Sequence, residues 1–81
     1  MDYKLEISPR IYKFLKQLKS FEQIKIIQKI EKLQLNPFPS DSKRLVNTKL
    51  KVYRVRSGNY RILYYIKDKQ LIIVFLINTR E

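Results

Sequence analysis

Hydrophobic and polar positions alternate at the start of the chain and then take up a helical period. Tyr3, Leu5 and Ile7 are interleaved with Lys4 and Glu6, which predicts a half-buried strand. Ile11, Phe14, Leu15 and Leu18 then recur at i, i+3, i+4 and i+7, predicting a helix from Pro9 to Lys19. Ser8 stands at its N-cap and Pro9 at its first helical position, where a missing N–H costs nothing. Ser20-Phe21-Glu22-Gln23 has the form of a capping box and opens a second helix. Its expected stripe is Ile24, Ile27, Ile30 and Leu33, widened by Ile26, with Lys25, Lys29 and Lys32 opposite. Asn36-Pro37 ends it, because proline disfavours helix in the residue before it. Helices joined by so short a link form an antiparallel hairpin.

Pro37 to Asn47 is a long connection that carries Lys43 and Arg44. Three strands are expected beyond it, Leu50 to Ser57, Tyr60 to Lys67 and Leu71 to Asn78. Gly58-Asn59 suits a type II′ turn, with glycine first, and Asp68-Lys69 predicts a second two-residue turn. The order β-α-α-β-β-β implies an α+β fold. Its sheet is mainly antiparallel and four-stranded, with the two-helix hairpin on one face. In that register Tyr53, Val55, Ile62 and Tyr64 share the apolar side. Arg54, Arg56, Arg61 and Tyr65 share the other, and Arg80 joins them beyond Val74 and Leu76. Arginines set directly opposite each other weaken a hairpin, so this face reads as one that expects a polyanion. Val74 and Leu76 read either as central-strand packing or as part of a groove for a partner.

Composition narrows the chemistry. The 81 residues suffice for one domain spanning 1–81. With 18 Lys and Arg against 7 Asp and Glu the net charge is +11, which points first to nucleic acid, then to an acidic protein and third to an anionic membrane. There is no Cys and no His, so disulfides, thiolate metal sites and the usual near-neutral base are excluded and no metal or cofactor is expected. No apolar run approaches the roughly 18 residues of a membrane span, and the alternating N-terminus does not resemble a signal peptide. A cytoplasmic location is expected. The helix lysines read as the wet side of amphipathic helices. Lys43, Arg44, Lys49 and Lys51 are further candidates for RNA contact, and Tyr65 is placed to stack a base or move a proton.

The stretch Tyr53-Arg54-Val55-Arg56-Ser57-Gly58-Asn59-Tyr60-Arg61-Ile62-Leu63-Tyr64 resembles the hallmark hairpin of the RelE/ParE toxin superfamily. Leu35-Asn36-Pro37 and Ser42-Lys43-Arg44-Leu45 are similar to the family's connection after its second helix. The resemblance implies a toxin of a toxin–antitoxin pair. RelE-like members are ribosome-dependent mRNA endonucleases restrained by an antitoxin, and ParE-like members poison DNA gyrase on the same scaffold. For a RelE-like enzyme it implies Arg54, Arg56 and Arg61, with Arg80 near the end of the last strand, around the scissile phosphate. Many active relatives carry Tyr or His beyond that arginine, where this sequence has Glu81. The implied partners are an acidic antitoxin, the ribosome and mRNA, with no metal. The alternatives are a gyrase inhibitor and a non-catalytic basic nucleic-acid-binding module.

Overall fold

A computed structural model describes residues 3–45 and 51–79 of the chain. Its elements run β1 (Lys4–Ile7), α1 (Pro9–Leu15), α2 (Ser20–Leu35), β2 (Lys43–Arg44), β3 (Val52–Ser57), β4 (Tyr60–Lys67) and β5 (Leu71–Thr79). The strands form a single sheet in the order β1-β5-β4-β3-β2. The two outer additions differ from the rest. β1 pairs with β5 in parallel, and β2 is a two-residue strand paired antiparallel with β3. The expected four strands therefore become five, because the connection after α2 lends Lys43 and Arg44 to the β3 edge.

Both helices lie on one face. Ile11 and Leu15 of α1 join Ile26, Ile30 and Leu33 of α2 in one core with Val55, Ile62, Tyr64, Ile72, Val74 and Ile77. The alternation of β3 and β4 holds, with Val55, Ile62 and Tyr64 fully buried and Tyr53 packed beside them. Tyr64 carries its hydroxyl into this core and donates to the Pro37 carbonyl at 2.6 Å. That bond ties the exit of α2 to the middle of the sheet and satisfies the one polar atom of a large ring. Burial pushes the Tyr64 phenol up to about 12.

Three local expectations are corrected. α1 ends at Leu15, and residues 16–19 form a turn closed by Gln17 N–H to Phe14 and Leu18 N–H to Leu15 carbonyls. The capping box is not formed. Ser20 is the first helical residue, Lys19 holds the N-cap position without a side-chain cap, and Gln23 donates its amide to the Leu18 carbonyl at 2.8 Å. The stripe of α2 is also rotated: Ile26, Ile30 and Leu33 are buried, while Ile24 and Ile27 face solvent. The sequence offers α2 two apolar faces, and the set spaced i, i+4, i+7, Ile26, Ile30 and Leu33, is the one that joins the core.

The turns differ from each other. Gly58 alone of its turn has positive φ, 59°, as a type II′ turn requires. The β4–β5 connection takes three residues rather than two. Asp68 and Lys69 both have positive φ, and Gln70 N–H closes on the Lys67 carbonyl at 3.2 Å. This shifts the register, so Lys67 pairs with Leu71 and Tyr65 with Ile73. A bulge then moves it again, between the pairs Tyr64–Val74 and Leu63–Leu76. Val74 consequently points into the core and is fully buried, whereas Leu76 faces outward. The expected groove loses Val74 and gains Phe75, whose ring lies 5.6 Å from that of Tyr65.

Candidate functional site

The face of the sheet away from the helices is organised in cross-strand rows. One row is Arg56, Arg61 and Asn78, on β3, β4 and β5. Beside it runs Lys43, Arg54, Leu63 and Leu76. The third is Val52, Tyr65, Ile73 and Glu6. Neighbouring strands are about 4.8 Å apart, so Arg56 and Arg61 project side by side and Arg54 lies one row away. The result is a basic corner, Lys43-Arg54-Arg56-Arg61, against an apolar floor of Leu63, Leu76, Phe75, Ile73 and Tyr65.

The type II′ turn creates this corner. It fixes Ser57 opposite Tyr60, and the period of two then puts Arg56 opposite Arg61. The turn is itself held to α2, because Tyr60 donates its hydroxyl to Glu22 Oε2 at 3.2 Å and packs edge-on against Phe14, with ring centroids 5.7 Å apart. Desolvation, aided by the Glu22 carboxylate, pushes the Tyr60 phenol up. Arg54, Arg56 and Arg61 are each half-buried, and Arg61 has its Nε shielded from solvent. Part of each side chain is therefore packed against the sheet, as the stems of long cationic side chains commonly are.

Of the residues singled out from sequence, the structure gathers Arg54, Arg56, Arg61 and Lys43 on one face, with Tyr65 on the same face but two residues along the strand from Leu63. Tyr65 rests against Phe75 rather than standing free. Arg44 pairs with Tyr53 and so belongs to the helix side of the sheet edge. Lys51 lines a groove with Tyr3, Phe38, Tyr53 and Ile66, also on the helix side. Lys49 and Arg80 lie outside the described residues. Asn78 escaped the sequence reading, since its place opposite Arg61 depends on a bulge that no residue pattern announces.

Chemically, this corner offers forked cationic donors and one amide. Guanidinium groups match phosphate oxygens in pairs, and several on one face suit a phosphodiester backbone better than an isolated anion. No group of three or more His, Cys, Asp or Glu that would hold a metal ion occurs among the described residues. No described helix is long and apolar enough to cross a membrane.

The comparisons with known proteins agree with this architecture. The profile of the ParE toxin family, toxins of the parDE type II toxin–antitoxin system, matches residues 5–81. The RelE1 protein of Methanocaldococcus jannaschii is 39% identical over the whole chain and 93% of its own length. The crystal structure of the archaeal RelE–RelB complex from Pyrococcus horikoshii contains a chain that superposes with a TM-score of 0.86 at 26% identity, covering 99% of this chain and 97% of that one. A chain of the RelBE2 toxin–antitoxin complex from Mycobacterium tuberculosis shares the fold, with a TM-score of 0.81 at 20% identity over 99% of this chain and all of its own. Hairpin, topology and sequence thus converge, and the chain belongs to the RelE/ParE superfamily of type II toxin–antitoxin toxins.

Proposed function

We propose that this toxin is a metal-independent, ribosome-dependent mRNA endonuclease. The observation that carries the reading is the basic corner, Arg56 beside Arg61 with Arg54 and Lys43 in the next row, on the sheet face opposite the helices. RNA supplies its own nucleophile. The 2′-oxygen attacks the adjacent phosphorus, the bond to the 5′-oxygen breaks, and the products are a 2′,3′-cyclic phosphate and a 5′-hydroxyl. The protein's tasks are to hold the 2′-oxygen in line and to stabilise charge added to the phosphate. Arg61 and Arg80 are assigned to the phosphate and its transition state, Arg54 and Arg56 to positioning. Lys43 extends the track for the backbone, and Arg44, Lys49 and Lys51 are also assigned to RNA contact. The proton that leaves the 2′-oxygen ends on the 5′-oxygen, carried by Tyr65 or by a group of the ribosome.

The same face supports an acidic antitoxin as partner in the cytoplasm. Its carboxylates would meet the arginines while its apolar side chains cover Leu63, Phe75 and Leu76, combining charge pairing with burial. Solved relatives captured as RelE–RelB complexes favour such a partner. The match to a family named for ParE favours a second reading, gyrase inhibition on this scaffold. Purified ribosomes programmed with mRNA decide between them. Cleavage that falls at least ~100-fold in Arg61→Ala supports the endonuclease, that being the scale of losing one strong contact to a transition-state charge. Intact mRNA together with blocked gyrase supercoiling gives the scaffold to the second reading.

A further inference from the structure

The groove that Lys51 lines on the helix side has a volume of about 600 Å³, within the ~300–1,000 Å³ of small-ligand sites. Tyr3, Tyr53 and Ile66 line it where they pack on the core, and Phe38 joins them. Asp68 and Lys69 line it as well, and their opposite charges offset each other. An aromatic side chain just past the end of a helix ordinarily finishes the core. Phe38 instead stays 49% exposed, although its ring stands 5.0 Å from that of Tyr53 at an angle of 66°. Tyr53 is in turn stacked on Tyr64, with centroids 5.8 Å apart. The backbone holds Phe38 in place too. Pro37 and Pro39 flank it with fixed φ, and its N–H donates to Asn36 Oδ1 at 3.1 Å. A ring fixed in this way loses little freedom when a flat ligand stacks on it.

The cations nearby select that ligand. β2 has only two residues, yet it puts one cation on each face of the sheet. Lys43 stands opposite Arg54, in the arginine corner, and Arg44 stands opposite Tyr53, beside the groove. Lys51 follows on the groove side, and Arg44 and Lys51 are both exposed. Positive charge therefore leads from the corner, over the β2 edge, to an exposed aromatic ring. Cations that track a backbone and aromatic faces that stack bases are the two parts of a single-strand groove. A double helix keeps its bases stacked inside and offers none to the ring. We propose that a single strand of RNA lying in the arginine corner continues over the β2 edge and stacks a base on Phe38, with Arg44 and Lys51 on its phosphates. This deepens the endonuclease reading and rests on it for the ligand of the corner. On that reading the strand is the mRNA.

Binding of a 2′-O-methyl oligouridylate of about 10 nucleotides tests this across salt concentration, a length within the ~4–16 nucleotide footprints of single-strand grooves. Such a strand lacks the attacking 2′-hydroxyl, so binding is read without cleavage. Phe38→Ala should weaken binding ~10-fold, about 1.4 kcal/mol, the scale of one base–aromatic stack. Its salt dependence should be unchanged, because no charge is removed. Arg44→Ala and Lys51→Ala should each flatten the slope of log Kd against log salt by about 0.7. On an abasic strand of the same length, wild type and Phe38→Ala should bind alike. The chain contains no Trp, so Phe38→Trp adds a single reporter that keeps the ring. It should hold the strand as wild type does and be quenched by it. Calorimetric titration should give one strand per chain, weakened by Arg54→Ala as well as by Phe38→Ala. A strand indifferent to Phe38→Ala overturns the proposal, as does a loss that persists on the abasic strand. Two strands per chain would separate the corner from the groove and overturn it too. If Phe38→Ala fails to fold, an unquenched Phe38→Trp overturns it alone. A Phe38→Ala chain that keeps the strand but loses an acidic peptide gives the groove to a protein partner. A chain that binds as expected yet cuts no ribosome-bound mRNA keeps this inference and loses the endonuclease. One that cuts mRNA while its strand binding ignores Phe38 does the reverse.

Discussion

The two faces of the sheet are built from the same strands and the same alternation, yet they differ in kind. The helix side is apolar at its centre: Val55, Ile62, Tyr64, Ile72, Val74 and Ile77 are buried under α1 and α2. The outer side is divided, with arginines at the β3–β4 turn end and apolar side chains toward β5. On the helix side each residue is selected by its packing neighbours, so the loss of one is felt as stability. On the outer side the charges add nothing to the core, and Arg56 opposite Arg61 works against the hairpin. On the proposed reading that pair serves the phosphate backbone, and the two faces then divide residues that make the structure from residues that act through it.

The sharpest way to break that contrast is to truncate one neighbour from each face. Ile62→Ala, fully buried, should cost about 3–4 kcal/mol in chemical denaturation, within the range for deleting a buried Ile side chain. Arg61, next in sequence and on the opposite face, should behave in reverse. Arg61→Ala should leave the denaturation midpoint unchanged or slightly raised and lower ribosome-dependent cleavage at least ~100-fold, equivalent to about 2.7 kcal/mol. Arg54→Ala and Arg56→Ala should each cost less, and more when combined. If Arg61→Ala unfolds the protein instead, the division between the faces is wrong.

The same division explains how much could be read from sequence. The hairpin was legible because Gly58-Asn59 fixes one register and the period of two does the rest, from Ser57–Tyr60 back to Tyr53–Tyr64. The position of β5 was not. Asp68-Lys69-Gln70 forms a three-residue loop where two residues were expected, and the bulge beside Leu63 then shifts the strand again. Both sequence alternatives bury an apolar set, since Leu71 to Ile77 is apolar throughout, so hydrophobicity cannot choose between them. Val74 was misplaced and Asn78 overlooked for that reason. α2 posed the same difficulty, because Ile24 and Ile27 compete with Ile26 for the core and only the packed helix shows which set wins. The fifth strand was hidden by its length, since Lys43 and Arg44 have no alternation to display.

A smaller effect tests the helix side from within. Tyr64 is the polar atom of that core, with its phenol raised to about 12 by burial and its hydroxyl donating to the Pro37 carbonyl. A group whose folded pKa exceeds its unfolded value of about 10 contributes its full share of stability below that value, and the share is lost as pH rises toward the folded one. Wild type should therefore lose up to about 2 kcal/mol relative to Tyr64→Phe between pH 10 and pH 12. Near neutrality the variant should be the weaker by about 1 kcal/mol, for want of the hydrogen bond. Taking the difference between the two proteins removes the lysines, which titrate in the same range. A difference that stays constant through this range would mean that Tyr64 ionises as freely in the fold as outside it.

The smallest expected effect is a gain, and it lies where the two faces meet at the β4–β5 turn. Asp68 and Lys69 are held at φ 54° and 62°, a region that costs an L-residue roughly 1 kcal/mol or more. Aspartate tolerates it through its short polar side chain, but lysine has no such compensation. Lys69→Gly removes the strain while giving the unfolded chain more freedom, so the net gain should be about 0.5–1 kcal/mol. For a domain of this size that raises the melting temperature by roughly 2–8 °C. Gly58, at φ 59°, makes the converse comparison, and Gly58→Ala should lower the melting temperature although nothing lies within 4 Å of the added methyl group. Lys69 also sits at the far end of the sheet from the arginine corner, so cleavage by Lys69→Gly should match wild type. A lower melting temperature in that variant would show that the lysine side chain contributes more than its backbone costs. Altered cleavage would show that the two ends of the outer face act together.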